Sequence, residues 1–310
     1  MEQRIIGEYK GHPDGPLLIC IGGMHGNEHA GIQAIEEVLR LLQQEKELHP
    51  EFEYAGTFLG IRGNLQAIHQ NKRFIDRDLN RMLTPEELDQ IRQKVPGVRL
   101  AEEQECLELV ECIQSYTADI KASFCLLLDL HTTTAFGGLF SIVSDDDFSL
   151  QLALGLHVPI ILGIAHGLKG TTIDFFNKPE QRQYCVVFEA GQHDDPESIR
   201  RTVSAIINCM RNMGAVAPKY VDLKHDDLLK QLAQGLPQVT RLIYHYKIAP
   251  GEKFIMKPGY QNFDAVRKGD LLAVNDEGNV YAPMEGMMLM PKYQALGDDG
   301  FFLIEPVEST

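Results

Sequence analysis

The 310-residue sequence lacks long apolar runs and has few basic residues for its size. No stretch reaches the 18 uninterrupted apolar residues typical of a membrane span, and the N-terminus lacks the basic flank and apolar segment of a signal peptide. The 29 lysines and arginines face 44 acidic residues, a net charge of −15, whereas nucleic-acid binding needs clustered cations to contact phosphates. We therefore expect a cytoplasmic protein that binds neither nucleic acid nor membranes.

The cysteines have no metal-binding or disulfide pattern. There are six of them, and no two have CxxC spacing, so nothing supports a thiolate zinc site. Several lie in apolar runs such as "SFCLLLDL" and "YCVVFEA", which predicts reduced thiols buried in a core. Repeats and low-complexity tracts are also missing, and the length predicts one large domain with a smaller one.

Short apolar runs alternate with segments of helical periodicity over the first two thirds of the chain. This alternation predicts an α/β domain with a mixed or largely parallel sheet. The predicted strands are 17–24, 54–61, 124–130, 159–165 and 184–190. Thr84 is the predicted N-cap of a helix, with Glu87 completing a capping box, and 197–213 is predicted to be a helix.

The residue pattern of the sequence changes after residue 214. Glycine and proline then punctuate short alternating runs such as "KFIMKPGY" and "FFLIEP", which is typical of β-rich structure. We therefore predict a catalytic domain over residues 1–214 and a smaller β-rich domain over 215–310.

Candidate metal ligands follow two of the predicted strands. His25 and Glu28 lie three residues apart at a predicted helix start, where both side chains would share one face and could bind one cation. This HxxE pattern alone is short enough to occur by chance. The run "CLLLDLHTTT" adds Asp129 and His131 at a second strand end. Two histidines and a glutamate, with one open position for water, form a catalytic zinc site.

A third predicted strand, "YCVVFEAGQ", carries Glu189 near its end. A carboxylate after so apolar a run needs a partner or a chemical task. Two interpretations remain open at this point: a general base that deprotonates water at the metal, or a structural carboxylate in an ion pair.

A basic cluster stands out in the segment "NKRFIDRDLNR", residues 71–81. It contains four cations of an otherwise acidic chain: Lys72, Arg73, Arg77 and Arg81. Such a run is often only a solvated loop. Asn80 next to Arg81, however, suits recognition of a substrate carboxylate, because a guanidinium binds carboxylates bidentately. We expect Asp76 and Asp78 to orient the arginines.

Four motifs in order resemble the succinylglutamate desuccinylase/aspartoacylase family, which is related to zinc carboxypeptidases. They are HGNE at 25–28, RFIDRDLNR at 73–81, DLHT at 129–132 and FEAG at 188–191. The resemblance covers about residues 4–214, and the family's C-terminal β module also fits 215–310. It implies a zinc-carboxypeptidase-like mixed sheet flanked by helices, with a smaller C-terminal β-rich domain.

The resemblance also assigns roles to residues. It implies one zinc ion per chain, bound by His25, Glu28 and His131. Glu189 is then the general base and proton shuttle, and Arg73 polarises the scissile carbonyl and stabilises the oxyanion.

For substrate binding, the resemblance implies that Asn80 and Arg81 hold the α-carboxylate of an N-acyl amino acid. Tyr293, in "MPKYQAL", corresponds to a tyrosine that the C-terminal module contributes to the site.

One position departs from the family pattern. Relatives specific for acidic substrates have a further arginine about ten residues before the catalytic glutamate, and that position is Pro179 here, with Lys178 and Arg182 nearby. This departure argues against a pocket specific for aspartate or succinate.

We accordingly expect a zinc-dependent hydrolase that deacylates a small N-acyl amino acid or a related amide, with an anionic small molecule as its substrate. The alternatives are a carboxypeptidase acting on short peptides and a non-catalytic binding protein that keeps the fold. A phosphate-binding loop is disfavoured, because "GGMHGNEHAG" has neither the P-loop nor the dinucleotide pattern. A homo-oligomer is left open.

Overall fold

A mixed sheet of eleven strands runs through the protein. The computed structural model describes residues 3–118, 122–221 and 223–307. The strands in this part of the chain are β1 Ile5–Lys10, β2 His12–Gly22, β3 Ala55–Arg62, β4 Cys125–Thr133, β5 Phe140–Val143, β6 Ile160–Leu162, β7 Gln183–Gln192, β8 Val239–Lys247, β9 Ile255–Met256, β10 Ala265–Val266, β11 Leu271–Asn275, β12 Gly278–Tyr281, β13 Gly286–Leu289 and β14 Asp299–Pro306. The order in the large sheet is β1-β3-β2-β4-β7-β5-β6-β8-β14-β13-β10.

Helices cover both faces of the central strands. The described α-helices are α1 Ala30–Leu48, α2 Leu65–Gln70, α3 Pro85–Gln93, α4 Ala101–Thr117, α5 Asp147–Leu154, α6 Ile164–Gly167, α7 Thr172–Phe176, α8 Glu197–Asn212 and α9 Lys224–Leu232. Alternate residues of β2 enter two separate cores: Leu18 and Cys20 pack with α1 and α8, whereas Ile19 and Ile21 pack with α3 and α4. Burial on both faces explains why residues 17–22 of this strand are continuously apolar. No described helix is both long and apolar enough to cross a membrane.

The predicted elements compare well with the structure in the central sheet. Four predicted strands correspond to β2, β3, β4 and β7. The fifth, 159–165, is a strand only at Ile160–Leu162, because Gly163 adopts a positive φ of 86° and α6 begins at the next residue. The Thr84 side chain accepts a hydrogen bond from the Glu87 N–H, which confirms the N-cap. Glu87 pairs with Arg77 instead of completing the capping box.

The C-terminal segment is β-rich, as predicted, and it has a small sheet of its own with the order β12-β11-β9. The large sheet nevertheless continues into this segment, because β6 pairs in parallel with β8 and β8 pairs with β14. The boundary between residues 214 and 215 therefore stays a prediction. All six cysteines are free thiols, and all are buried except Cys112, which is partly exposed.

Candidate metal and catalytic site

The site lies where three neighbouring parallel strands end. The strands β2, β4 and β7 are adjacent, and their carboxyl ends meet at one edge of the sheet. Such an edge is where open α/β sheets bind ligands. His25 and Glu28 follow β2, and His131 of β4 lies directly opposite Glu189 of β7 in the ladder. The sheet thus brings together four residues that are up to 164 positions apart in sequence (189 − 25).

His25 and Glu28 share a tight turn rather than a helical turn. The His25 carbonyl accepts a hydrogen bond from the Glu28 N–H at 3.0 Å, and α1 begins only at Ala30. The prediction that a helix start carries the pair was therefore wrong, although the two side chains do meet. Gly26 lies between them against the backbone of α2, where a Cβ atom would be 2.1 Å from the carbonyl carbon of Ala67. Only glycine fits this turn.

Glu28 bridges the two histidines. Its Oε1 lies 2.8 Å from His25 Nδ1 and its Oε2 lies 3.1 Å from His131 Nδ1. All three residues are buried, and one donor atom from each lies within 4.8 Å of the others. Two imidazole nitrogens and a carboxylate are the donor set of catalytic zinc sites, so the residues fit this ion. Burial would raise the pKa of Glu28, but His25 and His131 lower it well below its ordinary range.

A second layer of carboxylates orients both histidines. Asp78 Oδ1 lies 3.2 Å from His25 Nε2, and Asp129 Oδ2 lies 2.9 Å from His131 Nε2. Asp129 and His131 are two residues apart on β4, so their side chains share one face of the sheet. These contacts hold the rings with Nδ1 toward Glu28, the arrangement in which outer carboxylates support metal-ligating histidines.

Glu189 is buried beside this group. Glu189 is only 7% exposed to solvent, and its Oε2 has no hydrogen-bond partner among the described residues. Burial raises the pKa of Glu189 to about 7, against the lowering effect of His131 and with a further increase from Glu28. A carboxylate with this pKa can accept and return a proton near neutral pH.

Arg73 and Asn80 also line the cavity at this site. Arg73 donates to Asp78 Oδ2 at 3.2 Å, which confirms the prediction that Asp78 orients an arginine. The Arg73 guanidinium also lies 3.6 Å from Glu28 Oε1. The same prediction for Asp76 was wrong, because its carboxylate accepts from the backbone N–H of Ala101. The buried Nε of Arg73 has no partner among the described residues.

Arg81 lines the cavity but already has a carboxylate partner. Its guanidinium donates to the Asn80 carbonyl at 2.6 Å and to Asp299 Oδ2, while Asp299 Oδ1 accepts from His245 Nε2 at 2.8 Å. Burial would raise the pKa of Asp299, but His245 and Arg81 lower it to about 2. A substrate carboxylate at Arg81 must therefore share the guanidinium with Asp299.

Comparison with known proteins places the chain in a family. The succinylglutamate desuccinylase/aspartoacylase catalytic domain matches residues 14–213. The chain belongs to this family. An N-acyl-aromatic-L-amino acid amidohydrolase (carboxylate-forming) from Xenopus laevis is 30% identical over 285 residues, which are 85% of this chain and 87% of that protein. A probable aspartoacylase from Parasynechococcus marenigrum is 28% identical over 208 residues, 64% of this chain and 62% of that protein.

A solved structure has the same fold. The succinylglutamate desuccinylase/aspartoacylase from Rhodobacter sphaeroides is 17% identical and aligns with a TM-score of 0.65 over 97% of this chain and 88% of that chain. The resemblance based on the four motifs and the expected mixed α/β fold are both confirmed.

Pro179, the position that departs from the family pattern, lies away from the cavity. It begins a short 3-10 helix before β7, whereas Glu189 lies near the far end of that strand. The strand covers about 20 Å between its first residue, Gln183, and Glu189. Lys178 packs over the ring of Phe175, and Arg182 is exposed. Neither basic residue is among the side chains that line the cavity.

Tyr293 also lies outside the lining of the cavity. Its residue is 40% exposed, and its hydroxyl donates to the carbonyl oxygens of Lys257 at 3.1 Å and Tyr260 at 2.9 Å. The C-terminal segment instead places Lys292 and Asp299 at the cavity. The role inferred for Tyr293 remains a prediction that this arrangement does not favour.

Two further residues of the site were missed in the sequence. His193 lines the cavity, its Nδ1 is 2.7 Å from Thr132 Oγ1, and burial lowers its pKa. Its position four residues after Glu189 was the available signal. Lys292 lines the cavity too, and its pKa is lowered mainly by partial burial and to a smaller extent by the charge of Arg73. No local pattern marks Lys292, because only the fold of the C-terminal segment brings it here.

Proposed function

We propose that the protein is a zinc-dependent amidohydrolase that removes the acyl group from a small N-acyl amino acid. The observation that carries this proposal is the pairing of His25 and His131 with the two oxygens of Glu28, with Glu189 opposite His131. The names of the relatives agree with this reaction, since they denote deacylases of N-acyl amino acids.

His25, Glu28 and His131 would hold the ion. Zinc bound there supplies Lewis-acid chemistry, which makes water more acidic and a carbonyl carbon more electrophilic. Glu189 accepts the proton of the attacking water on its unpartnered Oε2 as the new C–O bond forms. Glu189 then gives this proton to the amide nitrogen as the C–N bond breaks, which leaves a free amine and a carboxylic acid that ionises by losing its proton to the solvent.

Arg73 stabilises the charge that develops during the attack. Its guanidinium is held by Asp78, and its Nε lacks a partner among the described residues. A fixed donor aimed at the carbonyl oxygen costs no reorganisation when that oxygen becomes negative. Asp78 therefore acts as a positioning residue for both His25 and Arg73.

The small size of the cavity favours a small substrate over a peptide. Its volume is about 130 Å³, and Met290, Lys292 and Leu296 of the C-terminal segment form part of its wall. Asn80, Arg81 and Lys292 line the same cavity and suit the carboxylate of an amino acid.

The test combines metal analysis with an activity panel. The purified protein is expected to contain one zinc per chain and to release free amine from at least one N-acyl amino acid, with loss of activity after chelation and recovery with zinc. Short peptides serve as the competing series. A protein that binds no zinc at His25, Glu28 and His131, or that cleaves only peptides, would contradict the proposal.

A further inference from the structure

One wall of the cavity is apolar and begins beside Glu189. In the ladder between β5 and β7, Phe140 lies opposite Glu189 and Ile142 lies opposite Val187. Side chains two residues apart on a strand share a face and are about 7 Å apart. Val187 and Ile142, both lining the cavity, therefore form an apolar surface one step below Glu189.

The segment that covers this surface adds only uncharged side chains. Ile164, Ala165, Leu168 and Ile173 of residues 164–173 line the cavity, and all but Leu168 are at least nine-tenths buried. His166 and Lys169, the two basic residues of this segment, are exposed and do not line the cavity.

The two threonine hydroxyls of the same segment already have partners. The Thr171 hydroxyl donates to the Leu168 carbonyl, and the Thr172 hydroxyl donates to Asp129. A charged group placed against this wall would therefore lose its water without gaining a hydrogen bond or a counter-ion from the side chains of the wall itself, which is unfavourable. An apolar group would gain from its removal from water.

The wall is adjacent to the residues that suit the amino-acid half of the substrate. The Thr172 N–H donates to Asn80 Oδ1 at 2.9 Å. Ile173, the next residue, therefore lies close to the Asn80–Arg81 pair. When the α-carboxylate lies at that pair, the side chain on the same carbon can reach Ile173.

We infer that the preferred substrate is an N-acyl amino acid with an uncharged, apolar side chain, aliphatic or aromatic, and that Ile173 with Val187 and Ile142 binds that side chain. This inference rests on the proposed function.

The test compares substrates that differ in the side chain alone. With N-acetyl-L-leucine, N-acetyl-L-phenylalanine and N-acetyl-L-aspartate, we expect kcat/KM of the zinc-loaded enzyme to be about 100-fold or more higher for one of the apolar substrates than for the aspartate substrate. Ile173→Arg should lower kcat/KM for the apolar substrate and raise it for N-acetyl-L-aspartate. Leu168→Arg, at a partly exposed position of the same wall, provides a second variant if Ile173→Arg does not fold. Val98→Arg, at an exposed position far from the cavity lining, is the matched control and should keep the wild-type preference.

The outcomes distinguish a failure of the side-chain inference from a failure of the proposed function. If the wild type prefers N-acetyl-L-aspartate, or if both wall variants fold, bind zinc and keep the wild-type preference, the inference is overturned and the proposed function stands. If no N-acyl amino acid is hydrolysed and no zinc is bound, the proposed function fails and the inference fails with it.

Discussion

Replacing Glu189 with glutamine should stabilise the metal-free protein while it inactivates the enzyme. Glu189 is buried, and its pKa is raised from the ordinary value of 4.5 to about 7. Below pH 4.5 the carboxyl is protonated in both the folded and the unfolded states. Between pH 4.5 and 7 the folded state keeps the proton that the unfolded state releases, so the free energy of unfolding falls as the pH rises.

The size of the effect follows from the pKa difference. About 2.5 pKa units correspond to about 3 kcal/mol, which wild type loses between pH 4.5 and about 7. The glutamine variant has no proton to release and does not lose this stability. Relative to wild type, Glu189→Gln should therefore gain about 2.5 kcal/mol in the free energy of unfolding between pH 5 and pH 8.

The assay is urea denaturation at several pH values in the presence of a chelator, because a bound cation would favour ionised Glu189. With a slope near 3 kcal/mol/M, the expected gain corresponds to a midpoint shift of about 1 M. Glu111→Gln, at an exposed position of α4, is the matched control and should parallel wild type. Parallel curves for wild type and Glu189→Gln from pH 5 to 8 would refute the reasoning. With zinc restored, kcat of the variant should be lower by about 10²–10⁴-fold.

Three further predictions concern the metal, the carboxylate site and a helix cap. His131→Ala should lose most of its zinc in metal analysis, since one of three ligands is missing; a retained ion would place the metal elsewhere. Arg81→Lys should lower kcat/KM by about 10–100-fold for substrates with a free α-carboxylate but little for their α-amides, because lysine cannot bind Asp299 and the substrate bidentately; equal losses on both substrates would contradict this. Thr84→Ala should lower the free energy of unfolding by about 1 kcal/mol in urea titrations, with no change contradicting the cap.

The sequence by itself determined the strands of the central sheet and the chemical types at their ends. Continuous apolar runs identify β2, β3, β4 and β7, because strands buried on both faces have no polar side. Since parallel strands present their carboxyl ends at one edge, the same reasoning groups His25, Glu28, His131 and Glu189 from the sequence alone. The half-buried edge strand β1 escaped detection, because its side chains do not form such a run.

Only the tertiary structure decided which atoms meet. The register of β4 against β7 sets His131 opposite Glu189, and Asp78 and Asp129 select the Nδ1 atoms of the two histidines for Glu28. These contacts depend on spatial packing, which local sequence patterns do not encode.

The C-terminal segment gives the clearest case of this limit. Asp299 reaches Arg81 across 218 residues, and Tyr293 turns away to bond backbone carbonyls. Counting residues back from Glu189 leads to Pro179, yet none of residues 177–182 lines the cavity, whereas Ile173 does. A residue's distance from Glu189 along the sequence does not tell whether it lies near Glu189 in space. The lining of a cavity depends on which segments of the chain fold over it.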